Sequence, residues 1–324
     1  MPEETPLYEH EHEHVAPTAL HEHDAPTALH EHEKLVHETA DTHHHHTHAV
    51  ESQHLSGHHL LQVENLSIGF SMYEAQGGIG AKKVLNNVIH DMHVSVHSGE
   101  ILAIVGASGA GKTLLADALM GLFEPNASVE GTIWFDGELQ NENSLIQLRG
   151  KGISLVPQSV ASLDPLMKVG KQVAGAGGDK QARKKKQRKL FEHYGLGKDV
   201  ENMYPFELSG GMARRVLICA ALIEDPKLII ADEPTPGLDL DLAIKAIDDF
   251  REFANQGGGV LLITHDIELA LRVADRVAVF KDGTVIEETS VENFASPDTL
   301  QHPFSKALWH ALPEHGFLIQ ETPC

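Results

Sequence analysis

An α/β architecture, a parallel sheet with helices on its faces, is expected for this chain on three observations. Apolar, β-branched-rich runs at 101–105, 228–231 and 260–263 have the length and composition of buried parallel strands. Segments 240–254 and 267–273 carry helical spacing beside them. A glycine-rich loop joins the run at 101–105 to a third helical pattern at 114–120. Strands that alternate with helices bury their apolar surfaces in this way.

The elements follow in chain order. Segment 60–70 alternates apolar and polar in part, as a strand does, and Gly77, Gly78 and Gly80 mark a loop after it. Segment 88–96 alternates again, and Ser98, Gly99 and Glu100 turn the chain into the run at 101–105.

Residues 106–113 read GASGAGKT and fit the pattern GxxxxGK[ST] between a strand and a helix. Gly106, Ser108, Gly109 and Gly111 belong to a loop whose backbone N–H groups can wrap an anion at the start of a helix. Lys112 is expected to reach the β- and γ-phosphates of ATP, and the Thr113 hydroxyl to ligate Mg²⁺. Residues 228–234, LIIADEP, form an apolar strand that ends in two carboxylates. Asp232 is placed to hold Mg²⁺, and Glu233, one residue on, to polarise the attacking water as a general base.

With these two motifs the chain resembles the ATP-binding cassette (ABC) ATPases, P-loop proteins with a mixed-sheet core and a helical subdomain. LSGGM at 208–212 resembles that family's signature motif, ahead of a helical pattern at 212–221. The resemblance implies that Ser209, Gly210 and Gly211 contact the γ-phosphate held by an opposite subunit. It also matches Gln158 in VPQS to the Q-loop glutamine, catalytic and a metal ligand, and Asp239 in PGLD to the D-loop. His265 in ITHD matches the switch histidine, and Phe70 the aromatic that stacks on adenine, with Tyr73 a nearby competitor. One Walker A and one signature in a chain imply a partner cassette, so that two ATP molecules are sandwiched between two subunits. PTPGLD departs from the common PTTALD by placing Pro236 and Gly237 beside the D-loop.

A narrower resemblance lies outside these motifs. SLDPLMKVGKQV at 162–173, the methionine of LSGGM and HPFSKALWHALP at 302–313 are similar to segments of the peptide/nickel importer subfamily. Arg214 stands where that subfamily often has glutamine. The resemblance implies an ATPase at the cytoplasmic face of the membrane, working with permease subunits and, indirectly, a substrate-binding protein. A second, different ATPase chain is favoured over a homodimer. The expected layout is a tail at 1–59, an ATPase domain at 60–295 with its helical subdomain at about 159–215, and a C-terminal extension at 296–324. Cys324 alone cannot supply the iron–sulfur cluster that some members carry there.

Charge narrows the function classes. The 324 residues hold 25 basic and 47 acidic side chains, a net charge of −22 that argues against a dedicated nucleic-acid binder. Six of the seven residues at 183–189 are basic, which reads as a solvated helix face. No apolar run reaches the roughly 18 residues of a membrane span, and the acidic start is unlike a secretory signal. Two cysteines, Cys219 and Cys324, are too few for a disulfide framework and suggest a reducing compartment.

Residues 1–59 hold 16 of the 24 histidines, 12 acidic side chains and one lysine, and repeat APTALHEH at 16–23 and 25–32. Such a composition is expected to be disordered, since it buries too little apolar surface to offset its ordering entropy. His10, His12, His14, His21, His23, His30, His32, His43, His44, His45 and His46, interleaved with glutamates, can take a transition metal. The tail shifts the expected cargo toward nickel or a metal chelate, with oligopeptides or dipeptides as the alternative.

Overall fold

The computed structural model describes residues 59–75, 81–107, 109 and 111–312. The expectations for residues 1–58, the loop glycines Gly77, Gly78 and Gly80, Ser108, the Tyr73 side chain and residues 313–324 lie outside the described part.

The order is β1 (His59–Ala75), β2 (Ala81–His97), β3 (Ile101–Gly106), α1 (Lys112–Leu119), β4 (Ala127–Phe135), β5 (Glu138–Gln140), α2 (Glu142–Leu148) and β6 (Ile153–Val156). Then come α3 (Val169–Ala174), α4 (Lys180–His193), α5 (Gly210–Leu222), β7 (Leu228–Asp232), α6 (Leu240–Asn255) and β8 (Gly259–Thr264). The described part ends with α7 (Ile267–Val273), β9 (Arg276–Lys281), β10 (Thr284–Ser290) and α8 (Pro303–His310).

The strands form two sheets. The larger runs β10-β9-β3-β8-β7-β6, with only β10 antiparallel to its neighbour, so it is mixed. The smaller runs β2-β1-β4-β5 and is antiparallel throughout. The runs predicted at 101–105, 228–231 and 260–263 are β3, β7 and β8, buried at every residue. A strand covered on both faces cannot alternate with polar residues, which is why these three read as continuous apolar runs.

Helices pack on both faces of the large sheet, but on one of them they share the cover with the second sheet. Ile101, Ala103 and Val105 of β3 pack with Ile229 of β7, Val260 of β8 and the buried residues of α5 and α6. The alternate residues, Leu102 and Ile104, pack instead with Leu61, Val63 and Ile68 of β1, Val94 and Val96 of β2, and Leu115 of α1. The second face is therefore closed by the antiparallel sheet together with α1. The half-polar alternation of β1 and β2 is the trace of this arrangement, since a sheet resting on one side only needs apolar residues at every second position.

The basic run also differs from a plain solvated face. Helix α4 turns Gln187 and Phe191 inward. Arg183 donates to Glu224, Lys186 to Asp225 (2.5 Å) and Arg188 to Glu201 (2.7 Å), while Lys184, Lys185 and Lys189 are exposed. Among the described residues no helix is long and apolar enough to cross a membrane.

Candidate nucleotide site

Four parallel strands end on one edge of the large sheet in the order β3, β8, β7, β6, and each delivers one part of the site. In open α/β sheets, ligands bind beyond the carboxyl ends of the strands. Here β3 ends at Gly106 and the glycine loop, β8 leads to His265, β7 ends at Asp232 and Glu233, and β6 leads to Gln158.

Gly106 has no room for a side chain, because a Cβ there would stand 2.1 Å from the Phe280 carbonyl of β9. Gly111 (φ 104°) caps α1, and Lys112 opens that helix. The Lys112 ammonium is 6 % exposed and donates to the carbonyls of Gly106 (2.9 Å) and Ala107 (2.8 Å). An ammonium has three donors, so one remains for an anion. Burial pushes Lys112 below the ordinary lysine range, while Glu233 and Asp232 pull it back up.

At the sheet, β6 and β3 are about 14 Å apart, three strand spacings, yet their loops meet. The Thr113 hydroxyl donates to Gln158 Oε1 at 3.2 Å and lies near enough to the Asp232 carboxylate to favour its charged form. Asp232 is 2 % exposed, and its Oδ1 is buried without a hydrogen-bond partner. Burial raises its pKa, Glu233 adds to the rise, and the Thr113 hydroxyl opposes it. A hydroxyl, an amide carbonyl and an under-satisfied carboxylate form an all-oxygen donor set, which fits a hard cation such as Mg²⁺.

Glu233 has φ 47°, the left-handed region that a non-glycine residue adopts at a cost of about 1–3 kcal/mol. Its N–H donates to the Ile263 carbonyl (2.8 Å), so the bend that follows β7 is held by β8. His265 Nδ1 lies 2.7 Å from Glu233 Oε2, without the alignment of a hydrogen bond, so Oε2 stays unsatisfied. His265 is largely exposed and Glu233 buried, so the pair spans the boundary between protein and solvent.

The remaining predicted residues sit apart. Ser209 caps α5 by accepting from the Met212 N–H (3.2 Å), and Gly210 and Gly211 form its first turn. Among the described residues, no hydrogen bond joins Ser209, Gly210 or Gly211 to the loop of Gly106, Gly109 and Gly111 in the same chain. Asp239 caps α6 through the Leu242 N–H (3.0 Å). Phe70 lies on β1 opposite Asn86 and Ala127 and packs against the core beside Leu114. Beyond the sequence reading, the structure adds Arg214, whose guanidinium donates to the carbonyls of Pro157 (2.8 Å) and Gln158 (2.6 Å). Its signal was a charge within the run of small and apolar residues that builds α5.

Residues 89–236 match the sequence profile of the family described as ABC transporter. The chain is 36 % identical to the oligopeptide transport ATP-binding protein OppD of Lactococcus lactis subsp. cremoris (strain SK11), over 80 % of this chain and 77 % of that one. The chain belongs to the ABC transporter ATPases. Within them it falls in the OppD/DppD subfamily. The OppD of Haemophilus influenzae is 34 % identical over 82 % of this chain and 84 % of its own length. Among solved structures, a dimeric ATP-binding cassette in a post-hydrolysis state, bound to ADP and Pi, matches with a TM-score of 0.60 at 26 % identity, covering 71 % of this chain and 98 % of that chain. This ABC chain is thus a transport ATPase of the nucleotide-binding cassette fold, a subunit that works with transporter partners.

Proposed function

We propose that this chain hydrolyses ATP between two cassettes to drive import of oligopeptides or dipeptides across the cytoplasmic membrane. The carrying observation is the convergence of Thr113, Gln158, Asp232, Glu233 and His265 beside the glycine loop. Peptide as cargo is supported by the relatives, which are named for oligopeptide and dipeptide transport.

Phosphoryl transfer to water is largely positioning and charge stabilisation. The loop N–H groups and the free donor of Lys112 receive the β- and γ-phosphates. Phe70 stacks on adenine. Thr113, Gln158 and Asp232 would hold Mg²⁺, which supplies neutralisation of phosphate charge when bound. Glu233 takes the proton of the attacking water, the role assigned to its strained αL backbone, while Asp232 serves the metal. His265, beside Glu233, supports the γ-phosphate on the solvent side. The N-terminal turn of α5 and Asp239 complete the site of the opposite subunit, a reading supported by the lack, among the described residues, of hydrogen bonds from them to the glycine loop of their own chain. Two such sites close on ATP and open after hydrolysis, and the closure is passed to permease subunits at the cytoplasmic face, loaded from outside by a binding protein. The segment at about 159–215 acts as the helical subdomain of the 60–295 cassette, with 296–324 as an extension.

A second reading, a metal or metal-chelate cargo, is favoured by the 16 histidines within residues 1–59. A transport assay separates the two. Cells lacking the gene are complemented with wild type or Glu233→Gln, and uptake of a labelled tripeptide and of ⁶³Ni²⁺ is followed. Restored peptide uptake, abolished by Glu233→Gln, is expected. Restored nickel uptake without peptide uptake contradicts the peptide reading.

A further inference from the structure

Helix α5 starts at the Ser209 cap, and Arg214 lies little more than one turn inside it. Its side chain is charged yet only 6 % exposed. One nitrogen donates to the Pro157 carbonyl at 2.8 Å, another to the Gln158 carbonyl at 2.6 Å, and Nε is buried without a partner. The planar guanidinium spans two successive carbonyls of an irregular segment that no strand satisfies, which a point-like ammonium cannot do. The second of these residues, Gln158, accepts from the Thr113 hydroxyl through its side chain. A continuous path therefore runs from Ser209 along α5 through Arg214 and Gln158 to Thr113. One turn earlier, Gly211 lies so close to the loop before α6 that a Cβ would stand 2.9 Å from the Gly237 carbonyl, so the start of α5 is wedged between both loops. Burial disfavours the Arg214 charge, and the carboxylates of Asp232 and Glu233 offset that cost.

We propose that Arg214 is a positioning residue that clamps the Pro157–Gln158 backbone to the signature helix, so that the Gln158 side chain and the Ser209 turn move as one body. It touches neither nucleotide nor water; its effect on hydrolysis passes through Gln158. The inference rests on the reading of Thr113, Gln158 and Asp232 as the nucleotide and metal site.

The test compares full-length wild type, Glu233→Gln, Arg214→Leu, Arg214→Lys and Arg214→Gln, by ATP turnover, ATP and Mg²⁺ titration, thermal midpoint and amide hydrogen exchange. Loss of the clamp is expected to lower kcat by about 10–100-fold in Arg214→Leu, as for a catalytic group displaced by about 1 Å. The KM for ATP stays within about twofold, while the Mg²⁺ concentration for half-maximal turnover rises several-fold through Gln158. Exchange quickens in the 157–162 segment only. Arg214→Lys, which reaches one carbonyl, falls between, and Arg214→Gln, shorter and with a single amide nitrogen, recovers less than lysine. Wild-type kcat, Mg²⁺ dependence and local exchange in Arg214→Leu overturn the inference. So does a loss in which kcat falls, KM rises and the thermal midpoint drops together without partial rescue by lysine. Should Arg214→Leu not fold, Arg214→Lys decides, and unchanged turnover and exchange there overturn the clamp. If wild type itself fails to hydrolyse Mg·ATP, or Glu233→Gln matches it, the reading of the site fails instead.

Discussion

Glutamine in place of Glu233 is expected to lower ATP turnover by about 10²–10⁴-fold, the usual span for a lost general base. At about 1.4 kcal/mol per decade this is about 3–5 kcal/mol of transition-state stabilisation. The structure makes the substitution a clean one. Glutamine has the shape of glutamate, so the φ of 47° and the N–H bond to Ile263 are unchanged. The side chain is 8 % exposed, so little solvent is at hand to replace the lost charge. Asp232 loses a like-charged neighbour, which favours its ionised form, so ATP affinity is expected to hold or improve. Steady-state phosphate release gives kcat, a fluorescent ATP analogue gives affinity, and a melting curve shows that the fold is intact. Turnover within about threefold of wild type would remove Glu233 from the role and with it the purpose assigned to its strained backbone.

Three further outcomes follow from the same geometry. Gly106→Ala puts a methyl 2.1 Å from a backbone carbonyl of β9, so β3 and β9 must part; a loss of about 1–3 kcal/mol or more on urea unfolding, with at least tenfold weaker nucleotide binding, is expected. Tyr194 is fully buried and donates to Asp249 Oδ2 at 2.5 Å; burial and then the Asp249 charge push its phenol far above the ordinary value. The native state keeps that proton while the unfolded chain releases it above about pH 10, so this contribution is complete below pH 10 and declines by up to about 1.4 kcal/mol per pH unit beyond it. Tyr194→Phe should flatten that part of the slope in urea unfolding between pH 8 and 11; an identical slope refutes the assignment. Removal of residues 1–59 should leave ATPase activity within about twofold, since the site assembles from Phe70 onward, and a collapse of turnover would place the tail in the site.

The legible parts of the sequence were those where local chemistry fixes the answer. Strands β3, β7 and β8 are apolar because both faces are covered, and Ile267–Val273 matches α7 in full. That the glycine loop, the two carboxylates and His265 stand at strand ends could be anticipated, because each directly follows an apolar run; their order along the sheet edge could not. The antiparallel sheet was not legible as a layer: β1 pairs with β4 across about 57 to 74 positions, Phe70 facing Ala127 and Leu61 facing Phe135, and no local period encodes that partner. Strand β6 is too short, four residues with a serine among them, to announce itself by periodicity. In the site, the two motifs foretold Lys112, Thr113, Asp232 and Glu233 as neighbours. The sequence did not show that Arg214 reaches the carbonyls beside Gln158, because a contact between residues 56 positions apart depends on how α5 meets β6.

In the proposed function two chains each supply what the other lacks, with the Ser209 turn of one meeting the Lys112 loop of the other. The direct measurement is the mass in solution of the Glu233→Gln chain, alone and mixed with its companion ATPase chain, at saturating Mg·ATP. The account predicts a species of two chains that returns to one when nucleotide is withdrawn. A particle that stays one chain in both preparations would contradict it.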